Sequence, residues 1–285
     1  METFRIESEK LDLEIALADI ESIHMHEEII PELVQKLATD LLEDGVLRHP
    51  IIVDEDTIVV LDGMHRAAAS RVIGCVWIPV CLVDYDNPSI RVETWYRTFR
   101  RGSGPELTGE LARWNITTRE SNIQDAKTDW EAGVAAAFIA TKNKCLLIEN
   151  KGTDVRQNFQ LAVRIEHMAR SLGYDVSYET ENDALNRLDM GTVTAVLAPP
   201  QVTKEDVREF GLRNELFPHK ATRHIVPARP LGIDVPIDAL RNRNIDLLQA
   251  NRQLIESLRK RTLERLGPGS LIENRRYDEQ VFLFR

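Results

Sequence analysis

Thr57-Ile58-Val59-Val60-Leu61-Asp62-Gly63-Met64-His65-Arg66-Ala67-Ala68-Ala69 decides how the first part of this 285-residue chain folds. Thr57 to Leu61 is a short β-branched apolar run, which suits a strand covered on both faces. Gly63 permits a sharp turn and lets a ligand come close to the backbone. Ala67 to Ala69 are small, strong helix formers. The first N–H groups of that helix have no intrahelical partner and carry the positive end of its dipole. With His65 and Arg66 beside them they form a natural anion site, most simply for phosphate. The same residues would also make a plain strand–turn–helix, with Asp62 as a cap and Arg66 in solvent.

Outward from this stretch the chain reads as a mixed fold. Leu11 to Ile20 leads through a short strand to Ile23. Pro31 fits the first turn of a helix, and Leu33, Val34, Leu37, Leu41 and Leu42 follow at helical spacing up to Gly45, a natural C-cap. Pro50 to Val53 reads as a strand and Asp54-Glu55-Asp56 as a turn. The helix after Arg66 ends near Gly74, and Trp77 to Val83 is a further strand. The first ~85 residues therefore form a small α+β module. Ser89 to Arg100 is expected to be helical or irregular. Arg100-Arg101-Gly102-Ser103-Gly104-Pro105 is the strongest breaker cluster and the expected domain boundary, with Gly102 to Gly104 as linker.

Beyond it, Glu106 to Asp129 reads as a loose segment. Val134 to Ala140 and Cys145 to Ile148 read as paired strands, and Val155 to Leu172 as an amphipathic helix ending at Gly173. Tyr174 to Tyr178 and Thr192 to Leu197 are strand-like, with a helix from Ala184 to Leu188 between them. Thr203 with Asp206 reads as a helix cap close to a capping box. Ile225-Val226 is a strand, Leu247 to Leu266 a long amphipathic helix, and Gln280 to Phe284 a final strand.

Composition narrows the function classes. Hydrophobic residues at 43% and charged residues at 29% are those of a soluble globular protein. A formal net charge of −10 opposes a general nucleic-acid-coating surface but leaves room for a local basic pocket. Cys75, Cys81 and Cys145 lack metal-ligand spacing and read as buried thiols in a reducing compartment. The first residues lack an apolar signal core, and no run reaches the ~18 apolar residues of a membrane span. These features lead us to expect a cytoplasmic protein with no membrane and no nucleic-acid partner.

Three polar clusters stand out: His24, His26, Glu27 and Glu28; Asp62, His65 and Arg66; and Lys220, Thr222, Arg223 and His224. His24-x-His26 would aim both imidazoles one way only in a strand, and no further histidine is near in sequence. A carboxylate acting as base or Mg²⁺ contact therefore fits that segment better than a transition-metal site, and charges capping a helix fit it equally. The third cluster is a candidate oxyanion pocket or an ordinary basic patch. No G-x-S-x-G and no Walker lysine loop is present.

Taken in order, these segments resemble a known family. Arg48-His49-Pro50-Ile51-Ile52-Val53 leading to Leu61-Asp62-Gly63-Met64-His65-Arg66 is similar to a ParB/sulfiredoxin-type domain. Sulfiredoxins carry a cysteine where this chain has Met64, and ParB proteins carry an arginine-rich turn followed by a helix-turn-helix. Asp-Gly-x-His-Arg is the pattern of the free L-serine kinases. His26-Glu27, Thr94-Trp95, Val202-Thr203-Lys204-Glu205 and Phe217-Pro218-His219-Lys220-Ala221-Thr222-Arg223-His224 extend the likeness outside about residues 105 to 190.

The resemblance implies an α+β protein with a ParB/sulfiredoxin-like nucleotide-binding N-terminal domain (1–104). A second α/β domain (105–285) would complete the substrate site. It implies phosphorylation of free L-serine by ADP or ATP with Mg²⁺, within amino-acid, notably cysteine, biosynthesis. Glu27 would be the base, with Asp62 and His65 also catalytic and Asp62 contacting Mg²⁺ or orienting His65. Gly63, Met64, His65 and Arg66 would hold donor phosphates. Trp95, Lys220, Thr222, Arg223 and His224 would hold the substrate. The competing reading is a non-enzymatic ParB-like nucleotide-binding regulator that contacts DNA or a protein partner and has no use for Glu27.

Overall fold

The computed structural model describes residues 2–149 and 154–285. The chain divides into two units. Unit 1 comprises residues 1–91, 207–216 and 224–285; unit 2 comprises 92–206 and 217–223. The expected division at 104/105 is therefore displaced to 91/92. The last 60 or so residues also return to the first unit instead of completing the second.

In unit 1, one sheet runs in the order Phe4–Ile6, Leu13–Asp19, Trp77–Val83, Ile51–Asp54, Val60–Asp62 among the described residues. Ile51–Asp54 lies parallel to Trp77–Val83, and every other pairing is antiparallel. A parallel pair needs a crossover, which the Met64–Val72 helix supplies. That helix packs on the Pro31–Asp44 helix, which begins at Pro31 and ends at Gly45 with φ +71° as expected. The strand expected from Thr57 starts only at Val60. Asp54 is the cause: its carboxylate takes the Thr57 hydroxyl at 2.6 Å and its carbonyl the Ile58 N–H at 2.9 Å, and Ile58 turns to φ +57°.

The end of the chain also departs from expectation. The helix expected over Leu247 to Leu266 stops at Arg259, and Leu263–Leu266 is a strand paired with Gln280–Phe284. Gln280–Phe284 in turn runs parallel to Ala228–Leu231. Buried Asn251, on that helix, accepts the Leu17 N–H at 2.8 Å and so ties it to the first sheet.

Unit 2 is a layered sandwich. Its sheet runs Asp175–Glu179, Tyr96–Arg100, Ala195–Ala198, Ala135–Thr141, Cys145–Glu149, Thr118–Ser121 among the described residues, with antiparallel pairings. Neighbouring residues alternate between two cores. Ile139, Leu146 and Leu197 join Leu107 and Ile165 on one face, while Phe138, Leu147 and Val196 join Trp130 and Leu188 on the other. That double covering explains the continuous apolar runs.

Two expectations fail in this unit. Ser89 to Arg100, expected to be helical or irregular, supplies the strand Tyr96–Arg100 inside the sheet. The loose segment holds the helices Gly104–Arg113 and Ile123–Glu131. Ser103, read as linker, caps the first of them by accepting the Glu106 N–H at 3.3 Å. Thr203 and Asp206 do form the expected reciprocal cap. Among the described residues no helix is long and apolar enough to cross a membrane.

Candidate phosphate turn and its neighbours

Gly63 is the N-cap of the Met64–Val72 helix, with φ +103°. A Cβ there would lie 2.7 Å from Ile51 Cγ2 and 2.9 Å from Arg66 Nη2, so only glycine fits. Ala67 is the first residue of this helix whose N–H bonds back along it, to the Gly63 carbonyl at 3.0 Å. The amides of Met64, His65 and Arg66 stand ahead of that ladder, where the helix dipole is positive. The turn thus has the backbone geometry of an anion cradle.

Its side chains are tightly organised. Arg66 Nη1 donates to the carbonyls of Pro50 at 2.7 Å and His49 at 3.2 Å, and its Nη2 donates to Asp62 Oδ2 at 3.2 Å. The same Oδ2 accepts from Arg229 at 2.8 Å, and Arg229 also pairs with Glu279. Surrounding protein alone would raise the Asp62 pKa, but Arg66 and Arg229 outweigh it and hold the carboxyl at about 2. Asp62 was expected to contact Mg²⁺ or to orient His65. Its partners here are two guanidiniums, while His65 Nε2 accepts the Ile30 N–H at 3.2 Å.

That last bond matters for the first polar cluster. His24 lies parallel to Val59, with its N–H on the Ile58 carbonyl and its carbonyl on the Val60 N–H. The segment is therefore extended along the strand that leads into the turn. His26 is fully buried and Glu27 is 6% exposed, whereas Glu28 points outward. Of the two glutamates, Glu27 faces the protein. Burial, and next the His224 imidazole, push His26 well below its ordinary pKa, so it is neutral near pH 7. The two rings meet edge to face, 5.4 Å between centroids, and Tyr85 Oη lies 2.8 Å from His224 Nε2.

The third cluster divides between the units. His224 belongs to unit 1, and Lys220, Thr222 and Arg223 to unit 2. Within unit 2, Lys220 Nζ stands 4.8 Å and Arg223 5.5 Å from the Trp95 ring centroid. Arg223 pairs with Glu93 at 2.6 Å, Thr222 is buried, and Lys220 has φ +62°. A left-handed lysine stacked on an indole is backbone strain of the kind found at binding sites. Trp95 also lines an open cavity of about 520 Å³ with Tyr178, Glu179, Asp183 and Arg187.

Among the described residues, no group of three or more His, Cys, Asp or Glu could hold a metal. Mg²⁺ needs less, commonly one carboxylate plus substrate phosphates. Asp62 fits that role: it is ionised, its side chain is 38% exposed, and both guanidiniums sit on Oδ2, leaving Oδ1. Cys75, Cys81 and Cys145 are free and buried, and burial pushes Cys75 and Cys145 up to about 11 and Cys81 to about 12.

Sequence reasoning missed Arg229, Glu279 and Tyr85. Arg229 was visible as a lone charge in Pro227-Ala228-Arg229-Pro230-Leu231, an otherwise apolar stretch. It is only 9% exposed, and so unusual burial of a guanidinium was the available signal.

No protein-family model matches the chain. It is 29% identical over 236 residues to the ATP-dependent L-serine kinase of Staphylothermus marinus, covering 80% of this chain and 92% of that one. It is 24% identical over 245 residues to the ADP-dependent L-serine kinase SerK of Thermococcus kodakarensis, covering 83% and 96%. Among solved structures, a free serine kinase in complex with AMP superposes with a TM-score of 0.66 at 23% identity, over 79% of this chain and 93% of that one. The chain thus resembles L-serine kinases over most of its length and has the fold of a free serine kinase.

Proposed function

We propose that the protein transfers the terminal phosphoryl group of ADP or ATP to the hydroxyl of free L-serine, giving O-phospho-L-serine. The observation that carries this reading is the bond from the Ile30 N–H to His65. It joins the turn to the segment that bears buried Glu27, which supports a cradle and a base on adjoining segments of unit 1. In the reaction the serine oxygen bonds to the terminal phosphorus and the bond to the nucleotide oxygen breaks. The hydroxyl proton passes to the Glu27 carboxylate.

Gly63, the amides of Met64 to Arg66, and His65 hold the donor phosphates. Arg66 acts chiefly on the loop, gripping Pro50, His49 and Asp62. Asp62 would hold Mg²⁺, which would neutralise charge on the donor phosphates. Lys220 and Arg223, stacked on Trp95, and the Thr222 hydroxyl suit an anion such as the amino-acid carboxylate. His224, held by Tyr85, is a contact for the transferred phosphoryl group. Three buried free thiols support a reducing, cytoplasmic setting.

The test is ³¹P NMR with serine, Mg²⁺ and ADP or ATP in separate tubes. Phosphoserine is expected, with AMP or ADP as co-product naming the donor; its absence with both donors overturns the proposal. Glu27→Gln is expected to lower turnover by ~10²–10⁴-fold with nucleotide affinity unchanged. A regulator of the ParB-like kind would bind nucleotide and lose nothing.

A further inference from the structure

Ser270–Ile272 and Arg275–Tyr277 form a hairpin near the end of unit 1. Its turn, Glu273 and Asn274, has φ +49° and +64°, the left-handed pair of a two-residue turn. The hairpin lies near residues that hold the Gly63 turn, on two sides. At its tip, Glu273 Oε2 lies 3.7 Å from His49 Nε2, while His49 Nδ1 accepts the Gly232 N–H. His49 and Pro50 are the residues whose carbonyls hold Arg66. On the returning strand, Arg275 lies 4.7 Å from the Tyr277 ring centroid, and Arg229 lies 5.8 Å from the same ring. Arg229 is the residue that reaches Asp62.

The charges do not cancel on this side. Arg66, Arg229 and Arg275 surround the turn, and Asp62 and Glu279 neutralise two of them. Glu273 is turned toward His49 at the tip. Arg275 makes no ion pair among the described residues, is exposed, and is held against an aromatic ring. It shares the Tyr277 ring with Arg229, the residue that reaches Asp62, and so stands one side chain removed from the turn. A guanidinium lying over a ring with no carboxylate partner has its donors available for an anion from solution.

We propose that Arg275 binds a donor phosphate beyond the first, so that the hairpin distinguishes a nucleoside di- or triphosphate from a monophosphate. This rests on the nucleotide-donor reading above. Arg66 is less available, because three of its five N–H donors go to the His49 and Pro50 carbonyls and to Asp62, which neutralises its charge. The helix N-terminus with His65 suffices for one phosphate. A second brings further negative charge, and Arg275 is the neighbouring cation without a counter-charge.

The experiment is calorimetric titration of the full chain with AMP, ADP and ATP, without serine, for the parent protein, Arg275→Ala and Arg275→Lys. Arg275→Ala is expected to weaken ADP and ATP about tenfold and leave AMP unchanged; Arg275→Lys, which keeps the charge but not the fork, recovers part of the loss. Equal weakening of all three nucleotides would show a merely structural role, and no weakening would remove any role; either result overturns the assignment while leaving the donor reading intact. A parent protein that binds none of the three overturns both.

Discussion

Asp62 in unit 1 and Glu166 in unit 2 are each clasped between two guanidiniums, and the two clasps differ in what surrounds them. In unit 1, Asp62 Oδ2 accepts from Arg66 at 3.2 Å and Arg229 at 2.8 Å, beside a left-handed glycine and a helix N-terminus. In unit 2, Glu166 lies 3.5 Å from Arg97 and 2.9 Å from Arg170, and the Tyr178 hydroxyl donates to it at 2.6 Å. Burial alone would raise the Glu166 pKa, but Tyr178 and the arginines hold it below the ordinary value. The Asp62 side chain is 38% exposed, whereas Arg97 is 1% and Glu166 14%. Alike in chemistry, one carboxylate is open to water beside the Gly63 turn, and the other is largely covered, with Arg97 buried behind it and Arg170 reaching it from the surface. Exposure of the carboxylate, not the ion pair itself, separates the clasp beside the proposed phosphate turn from the one within the unit 2 framework.

Breaking the unit 2 clasp at its buried guanidinium, Arg97, should have the largest effect on stability. Arg97→Met leaves Glu166 facing a cavity that its guanidinium filled, and removing one partner of a buried pair costs about 3–5 kcal/mol. The value should fall near the lower end, because Arg170 and Tyr178 still hold Glu166. Asp62→Asn should cost less than about 1 kcal/mol, since that carboxylate is partly in water. Urea unfolding of the two variants checks the ordering. If Asp62→Asn proves the more destabilising, exposure is not what separates the two clasps.

Gly63→Ala comes next. The new methyl would overlap Ile51 Cγ2 and the Arg66 guanidinium, at a residue with φ +103°. Backbone strain of this kind costs about 1–3 kcal/mol. Much of it should appear as lost affinity for ADP and ATP, because relieving the overlap displaces Arg66 and the amides behind it. A variant that keeps full nucleotide affinity would separate the turn from phosphate binding.

How legible this was depended on distance along the chain. The Gly63 turn, the helix from Pro31 and the strand Trp77–Val83 rest on local signals and stand where the sequence placed them. Tyr96–Arg100 was missed because Arg97 and Thr98 interrupt its apolar pattern. Both are buried because Glu166, Tyr178 and Glu179, some 70 to 80 residues away, satisfy them. The Leu247 helix was drawn too long because Leu263 to Leu266 keeps helical spacing and becomes a strand only by pairing with Gln280–Phe284. The domain boundary failed for the same reason. A glycine–serine cluster marks a place where a chain can bend, while unit 1 is completed by residues after 224. Asp62 and Arg66 were legible; Arg229, which shares their clasp from 163 residues beyond Arg66, was not.

The smallest effect tests the open clasp by titration. Asp62 has its pKa lowered to about 2 from an ordinary value of 3.8. A carboxyl whose pKa falls on folding contributes stability above its unfolded pKa, and that contribution disappears as the pH drops through the folded value. The Asp62 contribution should therefore be complete above about pH 5, fall as the pH drops through 4 to 2, and be gone only near pH 1. Its size is less than the shift alone implies, because water reaches the carboxylate. The measurement is the difference in Tm between the parent protein and Asp62→Asn from pH 6 down to pH 2. Other acids, Glu166 included, titrate in both proteins and largely cancel in the difference. A gap that is constant above about pH 5 and narrows steeply toward pH 2 is expected. A gap that stays constant throughout would mean that Asp62 has the same proton affinity folded and unfolded, so that Arg66 and Arg229 do not hold it as a charged partner.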